Sequence, residues 1–234
     1  MSNYKTVFFI LGVLQIILGL SMIVPIMAQF YYNQVDSGFI GSGLVSIIFG
    51  VLFFLSNLDY EKKLTLPQAF LLTALSWLSI AIFGSLPFVF SDLSLSFTNA
   101  FFESMSGITT TGSTILTNLN ETPKAILLWR AMLQWLGGIG IIVMAITLMP
   151  IMNIGGMQLF VISNTHTPEK ILPKSKEISI RLIAIYSSLT LVCAFFYKIF
   201  GMSFFDSIVH SMTTIATGGS VSYTHLTLPT RSYV

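Results

Sequence analysis

The chain has 234 residues, 54% of them hydrophobic and 9% charged, and its mean hydropathy is +0.83. A soluble domain carries about 25% charged residues, so these proportions suit lipid rather than water as the main solvent. A net charge of +2 is too small to imply a nucleic-acid partner, and one cysteine, Cys193, excludes an intrachain disulfide or a cysteine-based metal cluster.

Taken in order, apolar runs of spanning length lie at residues 7–27, 38–55, 69–90, 125–149 and 180–200. Each meets the need for roughly 20 apolar residues across a bilayer. The first follows Lys5 and resembles a secretion signal in layout. It is too long for one, and no small-residue cleavage pattern follows, so it reads as an uncleaved membrane helix. Two segments are different. Residues 97–108 and 204–214 are apolar on one side and short. A helix of about a dozen residues rises about 18 Å and cannot cross a core of about 30 Å. Both are predicted to be re-entrant half-helices. The expected class is an all-α integral membrane fold of helix–half-helix–helix repeats, similar to potassium channels, after a two-helix N-terminal hairpin.

Basic residues then set the orientation. Lys62 and Lys63 share one loop; Lys170, Lys174, Lys176 and Arg181 lie in or beside another. With five spans and two re-entrant segments, these loops and the N-terminus fall on one side, which the positive-inside rule makes cytoplasmic. The opposite loops hold Asp36, Asp92 and Glu121, with Lys124 as the exception.

Each half-helix ends in a polar Thr/Gly run. The first is Ser106-Gly107-Ile108-Thr109-Thr110-Thr111-Gly112-Ser113-Thr114; the second is Thr213-Thr214-Ile215-Ala216-Thr217-Gly218-Gly219-Ser220. Irregular backbone at membrane depth is tolerated only where protein or a water-filled path surrounds it. Its hydroxyls and carbonyls are oxygens suited to replacing the water shell of an alkali cation. A half-helix aimed inward also points the negative end of its dipole at that place. Placing Phe97 over Phe204 aligns the segments without a gap: Ser104, Met105, Ile108, Gly112 and Ser113 meet Ser211, Met212, Ile215, Gly219 and Ser220. Carbonyls facing an axis need backbone angles that glycine accepts most easily; Gly112 and Gly219 occupy equivalent places and Gly218 adds freedom. The competing reading, that these glycines only allow close helix packing, weakens because the run recurs after a second short half-helix. The resulting division is 1–60 as the hairpin, 61–160 as the first repeat, 161–220 as an incomplete second repeat and 221–234 as a tail outside the pattern.

Other features have simpler readings. Gly137, Gly138 and Gly140, after Trp135, are expected to let their helix approach a half-helix. Ser42, Ser46 and Gly50 form a small-residue ridge. Trp129, Trp135 and Tyr197 are interface or packing aromatics. Arg130 and Lys198 lie near helix ends, where they can snorkel. Glu103 and His210 take matching places in the half-helices. An ionisable group at membrane depth is a functional candidate; anchoring by hydrogen bonds is the alternative, and the sequence leaves both open. His166, His210 and His225 are scattered, giving metal binding no case, and no acid–base or nucleophile set marks an enzyme.

At these residues the chain resembles the Trk-type potassium uptake membrane subunits, the superfamily of TrkH, TrkG and KtrB. The words that carry the likeness are NAFFESMSGITTTG at 99–112, RAMLQWLGGIGIIV at 130–143, LMPIMNIGGMQLF at 148–160 and HSMTTIATGG at 210–219. The extra N-terminal hairpin is the TrkH-like arrangement. The resemblance implies four helix–pore–helix repeats around one potassium pathway, each giving one filter strand. It carries Thr109, Thr110, Thr111 and Gly112 over as the first strand, and Ala216, Thr217, Gly218 and Gly219 as the second. It further implies K+ as the transported ion with no other cofactor, a bacterial inner-membrane location, a homodimer, and a cytosolic nucleotide-binding regulatory partner of the TrkA type. Ser220-Val221 depart from the aromatic-then-Ser/Thr pattern usual after the second filter glycine. The tail beyond Gly219 is therefore expected to be foreign or frame-shifted, and two strands alone are expected not to conduct. A structural membrane subunit and an organic-solute transporter with broken helices are the rival functions. The second would need inverted repeats, whereas these copies run in the same sense.

Overall fold

The computed structural model describes residues 4–34, 36–60, 64–93, 95–116, 121–152 and 171–219, and among them helix is the only regular structure. The tail from Ser220 and the Lys62–Lys63 pair lie outside these residues.

The first apolar run is not one rod. It divides into α1 (Lys5–Ser21) and α2 (Ile23–Tyr31) at Met22. Pro25 has no N–H to donate to the Ser21 carbonyl, which interrupts the ladder. α3 (Gly38–Ser56) returns against α1 with almost no gap. A Cβ on Gly12 would lie 2.6 Å from the Phe54 nitrogen and 2.7 Å from the Gly50 oxygen. Of the expected small-residue ridge, Gly50 lies in this seam against Ile16 and the Gly12 carbonyl, and Ser42 and Ser46 are buried on the same helix. Ser42 and Ser46 donate to the carbonyls of Gly38 and Ser42 at 2.6 and 2.9 Å, so neither hydroxyl is left unsatisfied in lipid.

α4 (Leu66–Phe90) starts cleanly because Gln68 accepts the Thr65 N–H at 2.9 Å and Pro67 occupies its first turn. Next comes the 12-residue α5 (Phe97–Ile108), then α6 (Lys124–Met152), α7 (Ile171–Ile199) and the 12-residue α8 (Phe204–Ile215). Among the described residues, five stretches are long and apolar enough to cross a membrane: Lys5–Tyr31, Gly38–Ser56, Leu66–Phe90, Lys124–Met144 and Glu177–Ile199. α5 and α8 are too short, as their sequences require.

The core lies where α3, α4, α5 and α6 meet. Trp129, Phe39, Phe88, Ile126 and Leu133 are fully buried there. Trp129 stands edge-on to Phe39, with centroids 6.2 Å apart, and its Nε1–H donates to the Gly84 carbonyl at 2.9 Å. Trp135 instead reaches α7, donating from Nε1 to Thr190 Oγ1 at 3.0 Å. Leu191, Phe195, Phe196 and Ile199 on α7 are exposed, a face suited to hydrocarbon.

Candidate cation route

The two half-helices are built alike down to single hydrogen bonds. Ser96 and Ser203 cap them, each accepting a backbone N–H from three residues on, Asn99 and Asp206, at 3.4 and 3.1 Å. At the other ends, the N–H groups of Thr109, Thr110 and Thr111 donate to the carbonyls of Met105, Gly107 and Ser106. The N–H groups of Ala216, Thr217 and Gly218 donate to Met212, Thr214 and Thr213, the same residues shifted by the alignment. The chain then turns through left-handed backbone at matching places. Thr110 and Thr217 both have φ +57°, and Gly112 and Gly219 have φ +80° and +61°. For threonine this conformation costs roughly 1–2 kcal/mol, so its repetition marks an imposed shape.

These bonds consume the last carbonyls of each half-helix. Among the described residues, no backbone N–H donates to the carbonyl oxygens of Thr109, Thr110 and Thr111, nor to those of Ala216, Thr217 and Gly218. The hydroxyls are partly engaged: Thr109 Oγ1 donates to the Met105 carbonyl at 2.7 Å and lies 2.8 Å from Thr111 Oγ1. The two strands touch. A Cβ on Gly112 would collide with the Gly218 carbonyl.

α6 braces both strands from behind. Its Gly137 lies against the Ile108 carbonyl, where a side chain could not fit, and Gly138 faces Ala216 and the Tyr186 hydroxyl. Gly140 does not share this role, because a Cβ there meets nothing within 4 Å.

Arg130 differs from the expectation of a snorkelling helix-end cation. It is buried, and its guanidinium pairs through Nε with Oε1 of Glu103, which is itself fully buried. Nη2 also donates to the carbonyls of Gly112 and Ser113 at 3.0 and 3.2 Å. Of the two readings of Glu103 left open by the sequence, the anchoring contacts are present. Its carboxylate accepts from Thr114 Oγ1 at 2.9 and 3.1 Å and from the Ile115 N–H at 3.0 Å. His210, at the matching place in α8, is half-buried and cannot supply a carboxylate. Helical spacing could have hinted at the pair only if the packing of α5 on α6 were known. Among the described residues, no cluster of three His, Cys, Asp or Glu side chains could hold a metal ion.

Comparison with known proteins places this architecture. A family model described as "TrkH: Cation transport protein" matches residues 35–224. The chain is 39% identical over 211 residues to the Trk system potassium uptake protein TrkI of Halomonas elongata, covering 90% of this chain and 43% of that protein. It is 38% identical over 221 residues to the Trk system potassium uptake protein TrkH of Escherichia coli, covering 93% of this chain and 46% of that one. The crystal structure of the potassium transporter TrkH from Vibrio parahaemolyticus superposes with a TM-score of 0.83 at 35% identity, over 94% of this chain and 45% of that chain. The chain thus spans about half the length of the relatives it matches. With five stretches among the described residues long and apolar enough to cross a bilayer, it is a membrane-embedded protein of the all-α, channel-like class. The matched region covers well over half of its residues, and the chain belongs to the TrkH family of cation transport proteins.

Proposed function

We propose that the chain serves potassium uptake across the bacterial inner membrane, supplying two strands of a filter. Thr109, Thr110, Thr111 and Gly112 form one strand; Ala216, Thr217, Gly218 and Gly219 form the other. The observation that carries this reading is the repeated bend. Two half-helices end at the same residue, turn through the same left-handed backbone and leave three successive carbonyls each without a backbone donor among the described residues. Such oxygens can replace the hydration shell of a monovalent cation, and the negative helix ends behind them favour its charge. Relatives named as potassium uptake proteins supply the choice of ion.

The domain division follows: a hairpin over 1–60, a first repeat over 61–160 and a partial second repeat over 161–220, with 221–234 outside the pattern. The N-terminus is cytoplasmic, on the side of the Lys-rich loops. Two strands do not encircle an ion, so the site is completed by further repeats. A cytosolic nucleotide-binding subunit of the TrkA type and a second copy of the complete membrane subunit are the expected partners. The chemistry is transport rather than catalysis, with K+ as cargo.

Rubidium uptake by potassium-starved cells lacking their own uptake systems tests this directly. The full-length protein should restore uptake and growth at low potassium. Correct membrane insertion with no uptake would favour a purely structural subunit.

A further inference from the structure

We infer that Arg130 is a positioning residue for ion selectivity. With Glu103 as its counter-charge it fixes the limb of the first strand after the Gly112 bend, while the same face of α6 braces the second strand. The inference rests on the potassium reading and adds to it the group that sets the strand's shape.

Four consecutive residues, Gly112 to Ile115, are held by this one ion pair. Arg130 donates to the first two carbonyls, and Glu103 accepts from the Thr114 hydroxyl and the Ile115 N–H. This limb is also tied by Ser106 Oγ donating to the Ser113 carbonyl at 2.6 Å and by the Leu116 N–H donating to Thr114 Oγ1 at 3.1 Å. Direction matters here: a guanidinium on the Gly112 and Ser113 carbonyls holds two successive peptide planes, and these limit the orientations open to the adjoining plane that carries the Thr111 carbonyl.

Charge balance explains why the pair is needed. A lone guanidinium beside a cation route would repel the cargo and be costly to bury. Glu103, fully buried, neutralises it. Arginine also suits the geometry, because its planar guanidinium presents Nε to the carboxylate and Nη2 to the two carbonyls in one fixed arrangement, whereas a lysine ammonium is a point charge without that fork.

The second strand is reached one turn further along. Gln134, fully buried and four residues after Arg130, lies on the same helical face. A Cβ on Gly218 would sit 2.6 Å from its Oε1. One rigid helix therefore sets the spacing of both strands, and this spacing is what a selective site must control.

The alternative is that the ion pair only docks α5 on α6. Two variants of the full-length protein separate these roles, with potassium and sodium uptake and membrane abundance measured together. Arg130→Lys keeps the charge opposite Glu103 but loses the fork. The double variant Arg130→Gln with Glu103→Gln removes both charges, so no ion is left buried and unpaired. Positioning predicts that either variant, at normal abundance, raises the KM for potassium about tenfold relative to that for sodium. The Arg130→Lys result decides the matter if the double variant does not accumulate. A KM ratio within about twofold of the unaltered protein overturns the inference, leaving the transport reading intact. No potassium uptake by the unaltered protein overturns both.

Discussion

Gly112 lies against the carbonyl oxygen of Gly218, so close that no side chain can be built on it without moving the second strand. The contact joins two segments more than a hundred residues apart, each following its own half-helix. Gly112 is also in the left-handed region, at φ +80°. It therefore has two independent reasons to be glycine, steric and conformational.

Gly112→Ala should consequently abolish potassium-over-sodium discrimination, while an open left-handed glycine should not. Gly201 provides the control: its φ is +97° and a Cβ there meets nothing within 4 Å. Gly201→Ala should cost about 1 kcal/mol of stability and leave selectivity unchanged. Uptake of both ions by the two variants, at matched membrane abundance, checks the contrast.

The glycines of α6 should separate in the same way. Gly137→Ala drives a methyl into the Ile108 carbonyl at the end of α5, and an overpacked seam costs about 1–3 kcal/mol. Gly140→Ala meets open space and should stabilise the helix by up to about 1 kcal/mol. Thermal midpoints in detergent should fall for the first and hold or rise for the second.

Ser104 offers a test of packing near the strand. Its hydroxyl is buried with no hydrogen-bond partner among the described residues, beside Gly84, where a Cβ would lie 2.7 Å from it. Its counterpart Ser211 donates to the Ile208 carbonyl at 2.8 Å. Removing an unsatisfied buried hydroxyl relieves a desolvation penalty of about 1–3 kcal/mol. Ser104→Ala should raise the thermal midpoint, whereas Ser211→Ala should lower it or leave it unchanged.

The spans were legible because lipid demands length and apolarity, and a run such as 180–200 has both. The half-helices were legible through the opposite property, being too short to cross, and through the gapless match of Phe97 to Phe204. Two features were not legible. The break at Met22 depends on Pro25, which sits inside an apolar run that composition reads as continuous. The burial of Arg130 depends on which neighbour α6 turns towards. At its sequence position a snorkelling cation and a buried partner of Glu103 look alike, because helical periodicity fixes a face but not what packs against it. The burial of Ser42, Ser46 and Gly50 was readable from their small size at four-residue spacing, and Gly50 does meet another backbone, that of α1.

The most direct measurement of the account is the position of rubidium, by anomalous scattering, in crystals of the full-length protein grown with that ion in place of potassium. The account predicts density on an axis shared by the two strands, coordinated by carbonyl oxygens of Thr109–Thr111 and Ala216–Gly218. Ordered rubidium elsewhere in the membrane region, with those carbonyls turned into contacts with neighbouring helices, would contradict it.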